Sequence, residues 1–64
     1  MKYALNDKTI TKEQVKVLVE DLALFPYNKE DYGKSRDERL EMYFSELEKN
    51  KSLKISDTLT ITTN

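Results

Sequence analysis

Asp37 with Glu41, and Glu38 with Glu41, stand three or four residues apart, a spacing that brings two carboxylates onto one side of a helix, where a hard divalent cation could sit between them. Serine paired with lysine is the other chemistry the residue types allow, with Ser35 and Ser45 as candidate nucleophiles. Neither reading goes far. Ser35 is better explained as a helix cap, Ser45 falls on the solvated side of its helix, and solvated helix carboxylates are far commoner than cation sites. The 64 residues include no histidine and no cysteine, so the usual general base near neutral pH, the thiolate nucleophile and the standard zinc ligands are all missing. Gly33 stands alone, so no glycine-rich loop can cradle a phosphate. The expectation is a protein with no catalytic residue, no cofactor and no metal, which acts through its surface.

The elements that would shape that surface can be read along the chain. Tyr3 and Leu5 alternate with Lys2 and Ala4, Asn6-Asp7 is a turn signal, and Thr9-Ile10-Thr11 is β-branched, which suggests a short hairpin or one strand and a turn. Thr11 to Gln14 reads T-K-E-Q, a capping box that opens a first helix over about 12–25, with Ile10 and Val15 placed to close a hydrophobic staple. Pro26 ends it by disfavouring helical geometry at Phe25. Tyr27 to Lys34 is polar, and Asn28 could cap a single turn through Asp31. Ser35 to Glu38 is a second capping box, S-R-D-E, and Leu40, Tyr43, Phe44 and Leu47 follow the i, i+3, i+4, i+7 rule of a second helix over about 36–49, with Asn50 as its stop. Leu53, Ile55, Leu59 and Ile61 then alternate with polar residues as a half-buried strand over about 53–62, broken at Asp57, where the chain either bends into a hairpin or reaches the rim of the core. Together these give one α+β domain, two capped helices packed against a small antiparallel sheet formed by the N- and C-terminal segments.

Charge and composition limit the partners. Eleven basic residues face twelve acidic ones, so no global field favours nucleic acid or an anionic membrane. No apolar run approaches the ~18 residues of a membrane span. Without disulfides a cytoplasmic location is the better expectation, the host cytoplasm if the chain is phage-encoded. Nine of the eleven basic residues are lysine, a bias that suggests an AT-rich coding genome, as in low-GC bacteria and their phages. A winged-helix DNA reader has a similar order of elements, but residues 35–50 carry Arg36, Arg39 and Lys49 against Asp37, Glu38, Glu41, Glu46 and Glu48, and that net −2 would face phosphates. Asp37, Glu41 and Glu48 form one stripe on this helix, beside its apolar face. The stripe could imitate nucleic acid, or serve as a solvated flank pairing with Lys12 and Lys16 of the first helix.

The sharpest question lies in VKVLVEDLALFP, residues 15–26, whose apolar residues do not keep to one side. At 100° per residue, Val15, Leu18, Val19 and Leu22 form a core stripe with Phe25 at its edge, while Val17 and Leu24 point nearly the opposite way, flanked by Glu13, Glu20 and Asp21. Met42 projects away from the stripe of the second helix in the same fashion. In the commoner arrangement the first helix is central, covered by strands on one side and by the second helix or the tyrosine loop on the other. In the functional arrangement Val17 and Leu24, with Met42 and a tyrosine from Tyr27 or Tyr32, form an apolar spot ringed by acids that binds another protein. The function expected from that surface is a non-catalytic protein-binding module, an accessory or inhibitor protein of a phage or mobile element that masks a host or defence protein. The alternatives are a small dimeric nucleic-acid-associated regulator using the faintly basic ends, and a structural or assembly subunit. A homodimer could form through the first helix, or through the threonine-rich C-terminal strand if its edge is open.

Overall fold

A computed structural model describes residues 2–64. The elements run β1 (Tyr3–Leu5), β2 (Lys8–Ile10), α1 (Lys12–Leu24), a short 3-10 helix (Lys29–Gly33), α2 (Arg36–Asn50), β3 (Ser52–Lys54) and β4 (Thr60–Thr63). The strands form one antiparallel sheet in the order β2-β1-β4-β3, so the two ends of the chain build it jointly.

Local sequence explains most boundaries. The hairpin β1–β2 turns on Asn6-Asp7, with Leu5 opposite Lys8 and Asn6 in the left-handed region at φ 53°, which asparagine tolerates better than most residues. The Asn6 side chain also reaches across the sheet. Its Oδ1 accepts from the Thr60 amide at 3.0 Å and its Nδ2 donates to the Thr58 carbonyl at 2.9 Å, fixing where the C-terminal strand begins. The Thr11 capping box is complete, with both reciprocal bonds to Gln14 formed, and α1 ends at Leu24 before the buried Pro26. Asn28 caps the 3-10 helix through a 3.1 Å bond from the Glu30 amide, and Ser35 caps α2 through the Glu38 amide at 3.2 Å. Asn50 remains helical, and the reversal falls on Lys51 at φ 61°. The C-terminal segment is a hairpin, bent at Ser56-Asp57 where the alternation fails. Ser56 Oγ holds that bend by accepting from the Leu59 amide at 3.1 Å.

The sheet has one covered face and one open face. Tyr3, Leu5, Ile10, Leu53, Ile61 and Thr63 share the inner side by register, and the core joins them to Val15, Val19, Leu22 and Ala23 of α1 and Tyr43 and Leu47 of α2. Ala4, Thr9, Ser52, Thr60 and Thr62 face outward. Since β4 lies inside the sheet with β1 and β3 on its two edges, the C-terminal strand is not open for pairing across a dimer axis, contrary to the expectation above. The free edges belong to β2 and β3, three residues each.

Candidate functional site

Two surfaces emerge from this packing, and both involve α1. Val15, Val19, Leu22 and Ala23 are buried on its inner side, and Val17 and Leu24 lie opposite them, 57% and 49% exposed. The covered-helix arrangement is therefore not the one adopted. Helix α2 lies beside α1 and packs on β3 and β4 as well, instead of lying over the back of α1. The tyrosine loop is held elsewhere too, because Tyr27 donates its hydroxyl to Asp57 Oδ1 at 2.6 Å and the Lys54 ammonium sits 5.5 Å above its ring. Phe25, expected at the edge of the core stripe, is 76% exposed. It follows Leu24 at the end of α1, where the chain has left helical geometry, and so enlarges the apolar surface at that end.

The other expected contact residues divide. Tyr32 is exposed, with the Arg39 guanidinium 5.8 Å from its ring centre, and Asp37, Glu41 and Glu48 are exposed along one flank of α2. Met42 does not belong with them. It is half-buried against the core, because α2 has neighbours on more than one side and its apolar stripe is wider than the helical wheel suggests. Phe44, expected inside, is 41% exposed. Val17 and Leu24 thus lie on the outside of α1, the acidic stripe on a flank of α2, and the tyrosines around the connecting loop; no single surface gathers all of them.

The second surface is a groove of about 700 Å³ between the N-terminal half of α1 and the C-terminal half of α2, floored by Val15 and Leu47 and reaching Tyr3 and Thr63 of the sheet. Lys12, Glu13 and Lys16 stand on its α1 bank and Phe44 and Glu48 on its α2 bank. Lys12, Lys16 and Glu48, expected as possible pairing partners, therefore do border the same space. Thr63 is buried at the groove wall, and among the described residues its Oγ1 has no hydrogen-bond partner. A polar hollow on another side of α2 holds the Tyr43–Asp31 pair, in which the phenol donates to Asp31 Oδ2 at 2.8 Å.

Sequence reasoning missed Asp31 and Arg39. Asp31 is 9% exposed although its neighbours are charged and solvated, and nothing in the local pattern marks it. Arg39 donates from Nε to the Ala23 carbonyl at 2.7 Å and from one terminal nitrogen to the carbonyls of Lys34 (2.8 Å) and Asp31 (3.2 Å), joining the end of α1 to the connecting loop and α2. Its place in the helical wheel, next to the apolar stripe, was the available signal. Among the described residues no group of three or more carboxylates converges to hold a metal ion, and no helix is long and apolar enough to cross a membrane. Compared with known proteins, the chain matches no family model, no curated sequence and no solved structure.

Proposed function

We propose that this protein is a non-catalytic binding module that docks another protein on the outer side of α1, and that it serves a phage or mobile element as an accessory or inhibitor protein masking a host or defence protein. The observation that carries the reading is the exposure of Val17 and Leu24 on the side of α1 away from the core, bordered by Glu13, Glu20 and Asp21. Aliphatic side chains left in water within a ring of carboxylates suit a contact site whose apolar centre is desolvated by the partner while the acids select for a basic rim. Fully burying two side chains of this size contributes ~3 to 6 kcal/mol at transfer values, enough to matter for a small interface.

The test is capture from a host lysate by the immobilised wild-type chain and by the Leu24→Asp variant, with the bound proteins quantified by mass spectrometry. A specific partner should fall by at least about tenfold with the variant, while circular dichroism shows the same helix content. A partner held equally by both would refute the α1 surface.

A second reading has one observation in its favour. The sheet is built from the two faintly basic ends and carries Lys2, Lys8, Lys51 and Lys54 against Asp7 and Asp57, with Lys8 and Lys54 on its opposite edges, while residues 11–50 carry a net −3. A nucleic-acid-associated regulator would use that sheet, although its outward side offers threonines and no aromatic ring for bases to stack on. Salt-sensitive retardation of random duplex DNA would support the regulator, and no retardation at low salt would remove it.

A further inference from the structure

The groove between α1 and α2 has a feature that the outer surface of α1 lacks: its two banks carry opposite charge. Lys12 and Lys16 stand on the α1 bank and Glu48 on the α2 bank, with the exposed ring of Phe44 beside an apolar floor of Val15 and Leu47. We propose that this groove is where a second copy of the chain docks, Phe44 of each copy entering the groove of the other. An interface between identical chains must match itself after a half-turn. A half-turn about an axis parallel to the groove lays the α1 bank of one copy over the α2 bank of its partner. Each dimer then gains two meetings of Lys12 and Lys16 with Glu48, one on either side of a shared apolar centre.

The same geometry limits the strength. Glu13 shares the α1 bank and reduces its charge to +1, so the attraction is modest and screened by salt. A standard interface covers ~800 Å² on each partner, about one-sixth of this molecule's 4685 Å², so contact would have to extend along much of the helical flank. A weak dimer, with a Kd of about 100 µM, is the expected outcome. The outer side of α1, with Val17 and Leu24, lies away from the core and outside this groove, and would stay available to a different protein.

Sedimentation equilibrium from ~10 µM to ~1 mM at low salt reads the association directly. The wild-type chain should dimerise and dissociate as salt is added, and Phe44→Asp should remain monomeric with unchanged helix content. Lys16→Glu and Glu48→Lys should each raise Kd about tenfold, yet an equimolar mixture of the two should associate almost as well as wild type, because in the mixed dimer the net charges of the facing banks are again opposite in sign. The mixture decides the matter even if the Phe44 variant fails to fold, since Lys16 and Glu48 are exposed. A monomer throughout the range, a dimer indifferent to Phe44, or a mixture no tighter than its components would overturn the proposal. None of these results bears on capture of another protein through Leu24, so the two claims can fail separately.

Discussion

The Tyr43 hydroxyl and the Asp31 carboxylate form a buried polar contact in a domain with little polar burial to spare. Burial in the core, and after it the hydrogen bond to Asp31, push the ionisation of this phenol well above its ordinary range. A group whose folded-state value is raised contributes fully below its unfolded value, near 10 for tyrosine, and loses that contribution as pH climbs beyond it. Urea titrations should therefore show stability falling above about pH 10, with a shallower fall in Tyr43→Phe. At neutral pH that variant should lose about 1 to 3 kcal/mol, because the buried carboxylate keeps its desolvation cost and loses its donor. An equally steep alkaline fall in the variant would show that other groups control it. Arg39 works differently, holding three carbonyls with its fork of donors, a geometry that a lysine cannot reproduce.

At the scale of elements, the parts fixed by local chemistry were legible in the sequence and the parts fixed by neighbours were not. The Thr11 capping box, the Ser35 cap, the Asn6-Asp7 turn, the single turn capped by Asn28 and the break at Asp57 all involve side chains acting within a few residues of themselves and formed as the pattern implied, except that of the second box only the bond from the Glu38 amide to the Ser35 hydroxyl is made among the described residues. Phe44, Met42 and Phe25 were misplaced for a common reason: a helical wheel gives a direction, whereas burial depends on what lies in that direction. The tail pattern likewise marked a strand without revealing that β4 would lie inside the sheet. The exit from α2 was read one residue early, at Asn50, whereas Lys51 takes the left-handed geometry that glycine adopts without a Cβ penalty. Lys51→Gly should consequently leave the fold intact and raise stability by up to about 1 kcal/mol in a urea titration. A clear loss would mean that the Lys51 side chain contributes more than its backbone costs.

For the whole molecule, the order β2-β1-β4-β3 places both chain ends in one sheet and both helices in the layer that covers its inner side, giving a basic sheet and an acidic helical layer. So small a domain has few ways to cover apolar residues, and an aliphatic side chain left outside weakens solubility without adding to the core. Val17 and Leu24 are such residues, and the proposed contact with another protein would cover them. Of the candidate site residues, these two, Tyr32 and the stripe of Asp37, Glu41 and Glu48 were legible as surface, since solvated neighbours mark them in the sequence. The groove was not, because it exists only where two distant helix segments part over the sheet. The proposed capture of another protein rests on Val17 and Leu24 being surface residues of a folded chain. The direct check is the urea midpoint of the double variant Val17→Asp, Leu24→Asp. Surface positions predict a stability within about 1 kcal/mol of wild type, the ordinary range for two exposed substitutions. Loss of several kcal/mol, or failure to fold, would place both side chains in the core and remove the contact site with them.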